Sequence, residues 1–151
     1  ETVHRVMEWL TALPLEARDD AAVRRAVAQA AVGCGLPDSE HGRAVQQVRS
    51  ILFEPTLQPW LDPARLAWAG NEVPLHHEGQ VLRLDRLVAT DDQGRRRWWV
   101  IDYKLGHRPQ SQEVYQQQMR RYVQAVQSLQ PGDEVRAAFI TGQGEWVPLD
   151  A

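Results

Sequence analysis

The chain has 151 residues, 43% of them hydrophobic and 25% charged, with a formal net charge of −3. This length predicts one domain with a real hydrophobic core, and the negative charge argues against strong autonomous binding to nucleic acid without excluding a local basic groove. The single cysteine, Cys34, excludes a disulfide framework and any all-cysteine metal or iron–sulphur site within the chain. With no apolar run of about 18 residues and no signal-peptide pattern, we expect a cytoplasmic protein.

The first part of the sequence predicts helices. Residues 2–12 and 19–32 carry hydrophobic side chains at helical spacing. A third helix is expected to start after Ser39 and to run to about Phe53, before a proline. Residues 55–63 are expected to form an irregular connection.

The periodicity then changes to that of β-strands, with one more helix. Alternating or continuous β-type patterns are separated by turn residues, and residues 111–129 return to helical spacing. The predicted strands are residues 65–77, 80–90, 96–104, 135–141 and 145–149. Three hairpin-like strands followed by a helical crossover predict an α/β fold, with a mixed sheet flanked by helices and an N-terminal helical segment.

One residue type is used only once. Lys104 is the only lysine, and the other sixteen of the 17 lysine and arginine residues are arginine. Lysine is a compact charge with a movable pKa, whereas arginine is a planar and permanently charged fork. Lys104 therefore suggests a role that a guanidinium cannot perform.

The hairpin around residues 91–94 brings acidic residues together. If its tight turn is centred on residues 93–94, Asp85 lies directly opposite Asp102, with Cβ atoms roughly 4.5–5.5 Å apart. Lys104 points to the same face as Asp102. A longer loop would shift this register.

Opposed carboxylates in a half-buried sheet repel each other, so one should have a raised pKa. A divalent cation between them reverses the sign of the interaction, and Mg²⁺ typically uses one or two protein carboxylates together with phosphate oxygens. An adjacent ammonium suits metal-assisted hydrolysis of a phosphodiester. The alternative is a surface ion pair of little energetic worth.

Four sequence blocks resemble a known family. Residues 85–87 (DRL), 100–104 (VIDYK) and 115–122 (Y-x-x-Q-x-x-x-Y) follow residues 2–10 (TVHRVMEWL) in the order found in the RecB-type nuclease domain. This domain belongs to the PD-(D/E)XK, restriction-endonuclease-like superfamily and occurs in helicase–nucleases of the UvrD, RecB and AddA type. The resemblance covers the whole chain.

The resemblance implies a role for each matching residue. His4, Asp85 and Asp102 would be metal ligands, joined by the backbone carbonyl of Tyr103, for Mg²⁺ or a substituting Mn²⁺. Lys104 would position or activate the attacking water. Asp85, Asp102 and Lys104 are thus the expected catalytic centre.

Further residues are expected at the edge of this centre. The resemblance also counts Gln118 and Tyr122 among the catalytic residues: they would approach the site from the following helix and help hold DNA or the lysine, and with Tyr115 they form one helical stripe. Tyr115 could equally be a core aromatic. We expect the phosphate contacts from Arg83, Arg120 and Arg121.

The sequence also departs from the family pattern. Leu84 replaces the nominal proline before the first aspartate, and the branch with an iron–sulphur cluster needs four cysteines. Glu72 resembles a family glutamate on the preceding strand, with a less certain role.

The family also implies a cellular context. Since the first residue is Glu1, we expect residues 1–151 to be one nuclease domain, a fragment of a longer helicase–nuclease. Its partner would be DNA, most simply single-stranded, fed by a helicase motor in the same polypeptide or by a partner subunit. The expected role is exodeoxyribonuclease action in recombinational repair of double-strand breaks, in the bacterial cytoplasm near the nucleoid and away from membranes.

Two alternatives remain open. One is a catalytically inactive, nuclease-like module that guides DNA or binds a partner; the complete set of acidic and lysine positions argues against it. The other is an enzyme that uses the carboxylates for acid–base work on a small molecule; the sequence has no Gly-rich phosphate-binding loop and no nucleophile motif to support it.

Overall fold

The computed structural model describes residues 1–106 and 108–149. Helices dominate the first part of the chain, as predicted. The helices are α1 (Thr2–Thr11), α2 (Asp20–Cys34), α3 (His41–Leu52), the short α4 (Gln58–Leu61) and α5 (Glu113–Leu129). No helix in this described part is long and apolar enough to cross a bilayer.

The second part of the chain forms a five-stranded mixed sheet. Neighbouring strands are antiparallel except β3 and β4, which are parallel and joined by the crossover helix α5, and the strand order is β1-β2-β3-β4-β5. The strands are β1 (Trp68–His77), β2 (Gln80–Asp92), β3 (Arg95–Lys104), β4 (Glu134–Thr141) and β5 (Trp146–Pro148). The predicted α/β fold with a mixed sheet and flanking helices is confirmed.

The segment between the helices and the sheet is more ordered than predicted. It contains 3₁₀ turns at Pro55–Leu57 and Pro63–Arg65 with α4 between them, so β1 starts at Trp68 rather than at residue 65. Proline at the first position of each turn supplies the required φ, and the Asp62 carboxylate accepts the Ala64 N–H at 2.9 Å. These short turns depend on local proline and capping interactions. They therefore lack the hydrophobic periodicity by which a sequence predicts a long helix.

The sheet buries a separate apolar cluster on each face. One face packs against α1, α2 and α3, and the other against α5. Side chains of β3 alternate between them, with Trp99, Ile101 and Tyr103 on the first and Val100 on the second, as predicted. The C-terminal end of β3 thus lies between two packed layers.

The hairpin register is the predicted one. The β2–β3 pairs run from Asp92–Arg95 to Arg86–Ile101, and the ladder stops there. Asp85 and Asp102 are the next residues to face each other in this register, as predicted, one step beyond the last backbone pair. The Asp85 carboxylate accepts the Tyr103 N–H at 3.0 Å.

The ladder on the other side of β2 is interrupted at the same level. The β1–β2 pairing skips Glu72, which stands opposite Asp85 in this register. Glu72 adopts a positive φ of 48°. Such a backbone conformation is rare for a non-glycine residue and concentrates at functional sites.

A buried arginine holds this break in place. Arg86 is 1% exposed and donates to Asn71 Oδ1 at 2.8 Å and to the Trp60 carbonyl at 3.1 and 3.2 Å. Asn71 also donates to the Glu8 carbonyl and accepts from Thr11, both in α1. The same side chains therefore fix the break and the position of α1.

The β4–β5 turn allows a test of the packing. Gly144 has φ +79°, and a Cβ there would collide with the Ser50 carbonyl oxygen of α3. Gly94 has an almost identical φ of +78° with nothing within 4 Å of a Cβ. We expect Gly94→Ala to cost about 1 kcal/mol of unfolding free energy and Gly144→Ala roughly 2–4 kcal/mol, measured by urea denaturation. Equal losses would show that the close approach to α3 is absent.

Candidate active site

The polar residues singled out by sequence meet at the C-terminal end of β3. His4 reaches this point because α1 buries its apolar face, including Val3 and Met7, against the sheet. Its Nε2 atom lies 2.9 Å from the Tyr103 carbonyl oxygen and 3.3 Å from Asp85 Oδ2. The contact with Asp85 raises the pKa of His4, against the opposing effect of burial.

Asp85 is the hub of the cluster. Its Oδ2 atom accepts the Tyr103 N–H and faces the His4 ring. Burial opposes its ionisation, but hydrogen bonds from His4 and from the Asp102 carboxyl outweigh this effect and lower the pKa of Asp85. Asp85 is therefore the ionised member of the acidic pair.

Asp102 is the protonated member of the pair. It is 4% exposed, and burial together with the charge of Asp85 raises its pKa from 3.8 to about 7. The prediction that one of the two opposed carboxylates has a raised pKa is confirmed. The Lys104 ammonium forms an ion pair with Asp102 Oδ2 at 2.8 Å, and this buried oxygen accepts no well-formed hydrogen bond from the residues that the structure describes.

Lys104 lies between two elements. Besides the contact with Asp102, its Nζ atom lies 4.5 Å from the ring centroid of Tyr115 in α5. The sequence placed Tyr115 on the stripe that faces the site but did not identify this contact. The i, i+3, i+7 spacing with Gln118 and Tyr122 was the signal that could have pointed to it.

The helix α5 brings the other two predicted residues to the rim. Burial and the charges of Asp102 and Asp85 raise the pKa of Tyr122. Gln118, one turn earlier, has a buried Oε1 atom that has no hydrogen-bond partner among the residues the structure describes. An open groove of about 390 Å³ includes both residues in its lining. The lining residues are Leu82, Val114, Gln117, Gln118, Arg121 and Tyr122.

The predicted phosphate-binding arginines are not equivalent. Arg121 lines this groove, whereas Arg120 is exposed on α5 and is not among the lining residues. Arg83 lies near Glu72, and its charge partly offsets the burial and the Asp85 repulsion that raise the pKa of Glu72. Glu72 is thus a further acid beside the cluster, which the sequence marked only by resemblance.

The donor set suits a hard divalent cation. Two carboxylates, a backbone carbonyl and an imidazole nitrogen converge, and the buried Asp102 Oδ2 accepts no hydrogen bond within residues 1–106 and 108–149. Within residues 1–106 and 108–149, no three His, Cys, Asp or Glu side chains already have metal-binding spacing.

The comparisons with known proteins agree with this geometry. The family model described as the PD-(D/E)XK nuclease superfamily matches residues 1–145. The mixed sheet and its flanking helices fit the restriction-endonuclease-like fold of that superfamily, whose nucleases typically use divalent metal ions. A search of the curated proteins found no match.

The acidic pair makes stability depend on pH. Because the pKa of Asp102 is raised in the folded state, the folded chain binds more protons than the unfolded chain between pH 4 and about 7. Stability therefore falls as pH rises through this window. We expect Asp102→Asn to raise the unfolding free energy at pH 8, in chelator, by roughly 1–3 kcal/mol, and to leave it almost unchanged at pH 4. Thermal melts at both pH values test this, and a variant less stable than wild type at pH 8 would contradict it.

Proposed function

This chain belongs to the PD-(D/E)XK nuclease superfamily, and we propose that it is a Mg²⁺-dependent deoxyribonuclease that hydrolyses phosphodiester bonds. The observation that carries the proposal is the meeting of Asp85, Asp102 and Lys104 with His4 at the end of β3. Burying two acidic groups side by side destabilises a protein unless a cation or a substrate uses them.

In this proposal Asp85, Asp102, the Tyr103 carbonyl and His4 hold the cation. Bound Mg²⁺ supplies charge neutralisation and Lewis-acid polarisation for the hydrolysis of a phosphodiester. Asp85 presents an ionised carboxylate already fixed by the Tyr103 N–H. Asp102 would lose its proton to serve as the second carboxylate; burial and Asp85 raise its pKa to about 7, and the charge of a bound cation would favour the ionised form.

Lys104 orients the reacting oxygens. Its ammonium can donate to the attacking water or to a phosphate oxygen from a side chain that is 22% exposed, so it is shielded but reachable. Water adds across the P–O bond, leaving a phosphate on one fragment and a hydroxyl on the other. The attacking water loses one proton in this step, and the leaving oxygen gains one.

The groove beside α5 is the proposed path for the DNA strand. Gln118 offers an amide at its inner end, Arg121 a positive charge along it, and Val114 an apolar surface that is 65% exposed. Phosphate contacts by arginine and base contacts by apolar side chains are common in binding to single-stranded nucleic acid.

We place this chain as the nuclease domain of a longer ATP-dependent helicase–nuclease that acts in recombinational repair of double-strand breaks. A helicase motor, in the same polypeptide or in a partner subunit, would deliver single-stranded DNA to the site. The net charge of −3 supports this arrangement, because such a domain depends on delivery rather than on its own affinity.

Cleavage of labelled single-stranded DNA tests the proposal. We expect the purified chain to cleave in Mg²⁺ or Mn²⁺ and to stop in chelator. Lys104→Ala and Asp102→Asn should each lower the rate by roughly 10²–10⁴-fold, because positioned groups at the reacting centre are lost. His76→Ala changes an exposed histidine on β1 and should cleave like wild type.

Two results would contradict the enzyme. Metal-dependent cleavage that persists in both variants would refute the assigned residues. Binding of single-stranded DNA without cleavage by the wild-type chain, in either metal, would favour the inactive guiding module. The thermal melt of Asp102→Asn at pH 8 is the control: a melting temperature at or above that of wild type shows that its loss of activity is not due to unfolding.

The role of His4 has a separate test. As one of four proposed ligands, it should affect metal affinity more than the chemical step. We expect His4→Ala to raise the Mg²⁺ concentration for half-maximal cleavage by roughly 10–100-fold and to recover most of the rate at saturating metal. An unchanged metal requirement would remove His4 from the ligand set.

A further inference from the structure

The ammonium of Lys104 has a second contact that the superfamily assignment does not explain. Nζ lies 2.8 Å from Asp102 Oδ2 and 4.5 Å from the centroid of the Tyr115 ring. A cation within about 6 Å of an aromatic face is attracted by the negative potential of that face. The ammonium is therefore in contact with a carboxylate and with an aromatic ring.

The ring itself has a fixed position. Tyr115 packs against Phe139 with ring centroids 6.4 Å apart and an interplanar angle of 59°. Phe139 is fully buried and is the β4 residue paired with Asp102 in the parallel ladder. The phenylalanine that packs against the Tyr115 ring and the carboxylate that contacts the ammonium are thus paired on neighbouring strands.

Tyr115 is also held from its own helix. It lies in the first turn of α5, where its N–H donates to the Gln112 carbonyl at 3.1 Å. It is only partly buried, whereas Met119, one turn later, is 1% exposed. Packing in the apolar core alone does not account for the contact between the Tyr115 ring and the ammonium.

We propose that Tyr115 is a positioning residue that fixes the Lys104 ammonium at the reacting centre through a cation–π contact. This inference rests on the proposed nuclease function and adds a residue to its machinery. When Asp102 binds a cation, its carboxylate is shared between the cation and Lys104. A flexible four-carbon side chain then loses its main anchor, and the Tyr115 ring keeps the ammonium in place.

The single lysine makes a direct measurement possible. Because Lys104 is the only lysine, protein made with ¹³C-lysine gives one Cε–Hε correlation in an NMR spectrum. Protons above an aromatic face are shifted upfield by the ring current. We expect an upfield-shifted signal in the wild type and in Tyr115→Phe, and a signal at the position of free lysine in Tyr115→Leu.

Kinetics on the same proteins give the functional readout. Tyr115→Leu should lower kcat by roughly 3–30-fold with little change in KM, since the ring acts on the position of the ammonium and not on the DNA. Tyr115→Phe keeps the aromatic face and should stay within about 3-fold of wild type.

A matched variant separates positioning from stability. Val126 is 1% exposed in α5 and packs in the same apolar cluster, so Val126→Ala destabilises the helix without touching the ammonium. We expect it to lower the melting temperature while it keeps the lysine signal and kcat.

Three results would overturn the inference. They are a wild-type lysine signal at the free position, a signal unchanged by Tyr115→Leu, and a loss of kcat that Val126→Ala or Tyr115→Phe reproduces. Failure of the wild-type chain to cleave DNA would refute the proposed function instead. The lysine signal alone would then decide whether the ring holds the ammonium.

Discussion

The close approach of two buried carboxyl groups is the constraint on which the rest of this molecule depends. Although burial opposes it, the pKa of Asp85 is lowered by the adjacent His4 ring, by Asp102 and by the Tyr103 N–H that its carboxylate accepts. Asp102 is left with a raised pKa and, within the described part of the chain, an oxygen that accepts no hydrogen bond. Such an arrangement opposes stability at neutral pH, and perturbed acidic groups of this kind concentrate at functional sites.

The fold enforces this approach with ordinary structural elements. The β2–β3 ladder brings the two strands into register and then stops one residue before the acidic pair. Arg86, fixed by Asn71 and the Trp60 carbonyl, maintains the break that frees the Asp85 side chain. Because Asn71 also contacts α1, the break and the delivery of His4 to the site depend on the same hydrogen bonds.

Periodicity and pairing rules made most of this architecture predictable. The turn at residues 93–94 sets the register of a hairpin, so the meeting of Asp85 with Asp102 followed from the sequence. The break in pairing at Glu72 did not follow from the sequence. A positive φ at a residue other than glycine depends on tertiary contacts and leaves no local sequence signal. The contact between Tyr115 and Lys104 depends on where a crossover helix packs, which helical spacing alone does not determine.

Resemblance and geometry contributed different parts of the site. The family motifs named His4 and Gln118, which amphipathic spacing alone would leave among many solvated helix residues. The structure added the hydrogen bonds, the difference in pKa between the acidic pair and the aromatic contact of the lysine. It also left Arg120 outside the groove, although sequence adjacency had grouped it with Arg121.

The central claim is that the acidic pair holds a divalent cation, and anomalous scattering from crystals grown with Mn²⁺ tests it most directly. The account predicts one strong peak within bonding distance, about 2–2.3 Å, of carboxylate oxygens of both Asp85 and Asp102 and of the Tyr103 carbonyl. It also predicts that this peak disappears in Asp102→Asn. Crystals at millimolar Mn²⁺ with no peak at this position would contradict it.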